Sequence, residues 1–227
     1  MVLFVAADAE SQQEAVHPTG PGLAAHSILS RLRLETRAEH EAVEQVLDLM
    51  SPALTHQCYR QQLEQFYGFY APLEEALLAR GKCLADEPAE ATLSAAIASA
   101  LVFRLTKTAH LQQDLQYLGV RTRGLVLCSH LPPLGTQAEV LGCLYVIEGA
   151  TLGGRMITQH VRSTLGITPT TGGSFFDGYG DDTGRMWQGM RKLLVGGSPN
   201  AQTENSIVSN AISTFACLRI WCESFQK

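Results

Sequence analysis

The sequence predicts an all-α, single-domain protein, and three observations carry that expectation. Apolar residues recur at three- and four-residue spacings from Ser27 almost to the end of the chain, the period of a helix with one buried face. Sustained apolar–polar alternation, the mark of a half-buried strand, is nowhere found. Turn-rich interruptions leave segments of helical length between them. With 227 residues, 45% of them hydrophobic and 17% charged, the chain is long enough to close one substantial core.

Residues 1–26 contain HPTGPG and no sustained period, and read as a flexible tail ahead of a helical domain over 27–227. SILSRLRLETRAEHEAVEQVLDLM gives a first helix, stopped near Ser51-Pro52. A second runs from about His56 to Ala79 and ends toward Gly81, glycine being common just past a helix end. Helix-forming residues fill 90–102 and 104–118, the latter closed by Gly119. RTRGLVLCSHLPPLGT is a turn-rich linker. The next helix starts near Thr136, with Glu139 placed for a capping box, and continues to about Leu165. The loop GITPTTGGSFFDGYGDDTG separates it from a short helix near 184–194 and a final one near 201–225.

The net charge of −5, with no run of like charges, argues against a nucleic-acid partner, which requires a basic patch, and against a polybasic membrane anchor. The opening MVLFVAADAE is interrupted by Asp8 and lacks a basic stretch, so no signal peptide is expected. No apolar run approaches the roughly 18 residues of a membrane span. Six cysteines without a C-x-x-C pair read as reduced thiols and place the protein in the cytoplasm.

Gly149, Gly153 and Gly154 lie inside an apolar helical pattern, YVIEGATLGGRMI, where each glycine costs roughly 1 kcal/mol relative to alanine. Two readings stand. Glycine lets a neighbouring helix come close, or it lets the backbone approach and bend over a flat ligand. G-A-T-L-G-G is not the G-x-G-x-x-G of a dinucleotide site, and no strand precedes it. On the first helix, Thr36, His40, Val43 and Leu47 share one stripe, and Glu44 stands one turn beyond His40. A carboxylate on one ring nitrogen is the usual support of a metal-ligating histidine. Arg33 and Arg37 lean to the same side and can pair with an anionic ligand. The spacing H-E-x-x-H is absent, and Glu-x-x-His occurs once, at Glu14 and His17 in the tail, without the second copy that a di-iron bundle needs. His56, His110, His130 and His160 read as ordinary polar residues, and Cys128 beside His130 is a weak nucleophile signal.

LRLETRAEHEAVE resembles the proximal-helix motif of haem oxygenases, and YVIEGATLGGRMI resembles their distal helix. SFFDGYGDDTGRMW is similar to the stretch that follows in the bacterial branch associated with bacteriophytochromes. The resemblance covers residues 28–225 and implies a helical bundle holding haem b between a proximal and a distal helix. It implies His40 as the axial iron ligand, Glu44 on its other ring nitrogen, and Arg33 and Arg37 near the propionates. Arg185, with Arg191 and Lys192 as rivals, completes that seat. Gly149, Gly153 and Gly154 correspond to glycines over the haem face. Ala150 stands where much of the family has an Asp that organises proton-delivering water. That leaves backbone-held water, Thr151 or another polar side chain for the task. The implied activity is cleavage of haem to biliverdin, Fe2+ and CO, using O2 and electrons from an external reductant such as ferredoxin or a flavoprotein reductase. A bacteriophytochrome is the implied recipient of the bilin. Ala150 keeps open a haem carrier without turnover. A thiaminase-like enzyme of the same architecture needs a cysteine with an acidic partner, which the sequence does not offer.

Overall fold

The computed structural model describes residues 27–85 and 91–225; the tail expected over 1–26 lies outside them. Among the described residues every regular element is helical: α1 (Ile28–Glu35), α2 (Arg37–Leu47), α3 (His56–Ala85), α4 (Ala91–Arg104), α5 (Lys107–Tyr117), α6 (Gln137–Leu165), α7 (Ser174–Asp177), a 3-10 turn (Gly180–Asp182), α8 (Thr183–Gly196) and α9 (Ala201–Glu223).

The long α6 is the central element. It lies against α9 on one side and α7 and α8 on others, while α3 carries α4 and α5 and α2 packs on α9. Its start is fixed by the expected capping box: Thr136 Oγ1 accepts the Glu139 N–H at 3.2 Å, and Glu139 Oε2 accepts the Thr136 N–H at 2.8 Å. Its end is Gly166, in the left-handed conformation. By length and composition α6 is apolar enough to cross a membrane, contrary to the expectation from the sequence. Within the protein 72% of that window is buried, so α6 is the core helix of the bundle.

Three expected boundaries move. The first helix is two, bent at Thr36, whose hydroxyl donates to the Leu32 carbonyl at 2.7 Å; such back-bonding competes with the helix ladder and bends it. The second helix runs past Gly81 to Ala85. Gly81 is a crossing point, since a Cβ there would stand 2.8 Å from Leu101 Cδ1 on α4. The break between α4 and α5 falls at 105–106, where the first N–H groups of α5 donate to the Glu74 carboxylate rather than to the Thr106 side chain. The segment expected as loop also contains α7, because Asp114 accepts the N–H groups of Ser174 and Phe175, each at 2.8 Å, satisfying donors that a helix start leaves open.

Candidate functional site

Between α2 and α6 lies a small cavity of about 30 Å³, room for one or two waters. Val43 and Leu47 of α2 form one wall and Val146 and Ala150 of α6 another. Phe66 and Tyr70 of α3, Phe175 and Phe176 of α7, Leu218 and Lys107 close it. The lining is apolar apart from Lys107 and the Tyr70 phenol. The apolar stripe expected on the first helix therefore faces both α9 and this space.

His40 is three residues before Val43 on that stripe. Its ring meets Phe215 edge-on, with centroids 5.7 Å apart, and Leu218, three residues along α9, lines the cavity. Nε2 stands 3.5 Å from Glu44 Oε1, both side chains being largely buried. Burial lowers the imidazole pKa below its usual value, and the Glu44 and Glu41 carboxylates offset this in part. The ring is neutral at pH 7, the form a metal requires.

The three glycines divide. Gly149 and Gly153 are buried in α6. Gly149 is one turn beyond Tyr145, whose ring is 6.0 Å from Trp187 and whose hydroxyl lies by the Thr36 side chain and the Arg33 charge. That face of α6 turns toward the bend between α1 and α2. Gly154 serves α7: a Cβ there would overlap the Phe176 carbonyl oxygen. It is the packing glycine of the three and is what lets Phe175 and Phe176 reach the cavity. The close-approach reading of the glycines holds at Gly154.

The basic residues also part company. Arg33 lies at the α1 end near Tyr145. Arg37 is exposed and paired with Glu41 at 2.7 Å. Arg185 is not brought to the cavity: it is exposed and pairs with Asp182 at 3.1 Å. Arg191 is one turn past Trp187 and half-buried, so its helix face is the one that meets Tyr145, while Lys192 is exposed. Thr151 is spent on its own helix, donating to the Glu148 carbonyl at 2.5 Å. Cys128 donates its thiol to the His130 carbonyl, and burial raises its pKa, the opposite of an activated nucleophile.

Sequence reasoning missed a buried polar cluster behind the cavity. Glu148, 1% exposed, accepts from the Arg104 guanidinium and from the Tyr179 hydroxyl, the latter at 2.7 Å. Arg104 also donates to the Met186 carbonyl at 3.0 Å, tying α4, α6 and α8 together. A charge within the apolar run YVIEGATLGG was the available signal, since such a residue is almost never buried without partners.

The heme oxygenase family profile matches residues 26–224. The chain belongs to the haem oxygenase family. Among solved structures, the NO- and CO-bound heme oxygenase of Neisseria meningitidis aligns with a TM-score of 0.69 at 20% identity, covering 88% of this chain and 92% of that one. Heme oxygenase from Leptospira interrogans gives 0.64 at 20% identity, covering 88% and 100%. Heme oxygenase 2 from Chlamydomonas reinhardtii, solved without heme, gives 0.67 at 17% identity, covering 88% and 98%. No curated protein matches the sequence. The chemistry of the residues present is compatible with the group that the family is named for: a largely buried imidazole beside a carboxylate on α2 and apolar side chains from α2, α6, α7 and α9 around a common space.

Proposed function

We propose that the protein degrades haem to biliverdin, Fe2+ and CO in the cytoplasm, with O2 and an external reductant such as ferredoxin or a flavoprotein reductase, and that the bilin is supplied to a bacteriophytochrome. The observation that carries this reading is the cavity flanked by His40–Glu44 on α2 and the Gly149–Ala150 segment on α6. His40 would hold the iron, with Glu44 fixing the ring and keeping it basic. Arg33, together with Arg191 rather than Arg185, would meet the propionates at the end of the cavity nearest α1 and α8. Haem supplies the redox chemistry when bound, and the chain supplies binding, orientation and control of water. Val43, Leu47, Val146, Phe175 and Phe176 exclude bulk water from the site. Gly149 and Gly153 leave room between the α6 backbone and the ligand face. The phytochrome link rests on SFFDGYGDDTGRMW, the stretch that builds α7, the 3-10 turn and the start of α8.

The test is addition of haem and ascorbate to the protein under air. The expected result is a Soret band that forms and then decays into a bilin spectrum with release of CO. A stable Soret band would identify a haem carrier, the reading that the apolar Ala150 favours. Absence of a Soret band would sink both.

A further inference from the structure

One charge faces the cavity, and the assignments above leave it without a task. Lys107 opens α5 and is 3% exposed. Its Nζ is 5.6 Å from the Phe175 ring centroid and 5.8 Å from that of Tyr179. Lys107, Phe175 and Ala150 line the same cavity. Two carboxylates are near, and both are spent elsewhere. Glu74 gives its two oxygens to the backbone N–H groups of Lys107 and Thr108, at 2.8 and 3.0 Å. Glu148 gives one oxygen to Arg104 and the other to Tyr179. Among the described residues no carboxylate pairs with the ammonium directly.

The placement is unfavourable on two counts. A cation in the first turn of a helix opposes the helix dipole, an ammonium out of water loses its hydration, and methionine would fill the same volume without either penalty. The remaining polar groups near this wall are poor sources of a mobile proton. Thr151 is bonded to its own helix, and burial raises the Tyr70 phenol pKa so that it keeps its proton. Burial pushes the Lys107 ammonium down to about 8, with Glu148 and Glu74 opposing the shift. The charged and titratable groups facing it are Glu74 and Tyr70 on α3, Arg104 at the end of α4, His110 on its own helix, Glu148 on α6, and Tyr179. The His110 imidazole is itself held neutral by burial and by Lys107.

We propose that Lys107 is the positioning residue of this cavity: its ammonium anchors the water beside Ala150 and relays protons through that water to the site where haem reacts. The proposal rests on the haem-degrading reading. The ammonium donates a hydrogen bond to the water, passes a proton along it, and regains one from solvent, so the side chain ends each cycle unchanged.

The test uses the full chain as wild type, Lys107→Met, Lys107→Arg and the double variant Lys107→Met/Ala150→Asp. Haem affinity is measured by Soret titration, and the ferric complex is titrated by its visible spectrum without reductant. Bilin formation is then followed across roughly pH 6 to 9, where such groups ionise. Lys107→Met is expected to keep haem affinity within about threefold and to slow bilin formation by about tenfold or more, the low end for loss of a proton-transfer group. Its ferric spectral transition should move up by about one pH unit, because a nearby cation favours the deprotonated form. Lys107→Arg should keep the wild-type transition, since it keeps the charge. Ala150→Asp on the Lys107→Met background should recover part of the rate by anchoring the same water. Unchanged rate and transition in Lys107→Met overturn the proposal. So does a fall in haem affinity equal to the fall in rate, in either single variant, which marks a packing role. A wild type that forms no bilin sinks the degradative reading together with this one, whereas a wild type that degrades haem beside an indifferent Lys107→Met sinks the role of Lys107 alone.

Discussion

At the scale of a residue, His40 is the position where sequence and structure agree most directly. Its pairing with Glu44 is an i,i+4 relation on one helix, and a helix of known period fixes that geometry before any tertiary contact forms. Lys107 was invisible for the converse reason: its neighbours Glu74, Glu148, Phe175 and Tyr179 come from distant parts of the chain. Distance along the chain does not say which face of α8 Arg185 takes, and the structure pairs it with Asp182 at the surface. Replacing His40 with Ala should leave the melting behaviour close to wild type, since the side chain sits at the edge of the packed stripe. The haem complex should lose its normal Soret maximum and its turnover, and added imidazole should restore the spectrum. A His40→Ala protein with an unaltered Soret maximum and rate would remove His40 as the ligand. The lowered pKa adds a pH dependence with a definite sign. Below pH 6.5 the unfolded chain takes up a proton that the folded ring resists, so this contribution to stability is present above that pH and is lost as pH falls through the folded value.

At the scale of an element, α6 carries both the legible and the illegible parts of the fold. Its capping box and its terminal glycine were readable because caps are local chemistry. The bend at Thr36 was not, since a hydroxyl turned onto its own helix leaves the periodicity intact. Nor was α7, whose four residues form only because Asp114, some sixty positions away, caps them. The glycine cluster separates by what each position faces. Gly154→Ala should destabilise the protein by about 1–3 kcal/mol, the usual cost of overpacking, because the Phe176 backbone must retreat. Gly149→Leu should reduce bilin formation more than it reduces stability, because its side of α6 turns toward the α1–α2 bend rather than toward α7. Denaturant midpoints and single-turnover rates for the two variants would check the contrast. Equal losses of stability in both would mean that Gly149 serves helix packing as Gly154 does, and its ligand-face reading would fall.

At the scale of the whole molecule, one buried polar group lies where α4, α5 and α6 meet the segment before α8, around Arg104, Glu148, Tyr179 and Lys107. The first three satisfy one another, while Lys107 keeps an unpaired charge at the cavity, so the fold carries a cost that ligand binding can offset. That cost has a signature in the haem-free protein. The ammonium titrates near 8 when folded and near 10.5 when unfolded. Between those values the unfolded chain holds the proton and the folded chain does not, so stability rises with pH across that window and is lost again as pH falls toward 8. The full change is on the order of 3 kcal/mol. Lys107→Met should therefore be more stable than wild type near pH 7, and the gap should close as pH rises toward about 10.5. Tyrosines, cysteines and the three other lysines titrate in both proteins, so the difference between the two urea-denaturation series isolates the ammonium. A gap that stays constant across the window would mean that the ammonium is solvated in the folded state and reaches water rather than the cavity. A variant less stable than wild type at neutral pH would mean that the carboxylates around it repay its burial in full.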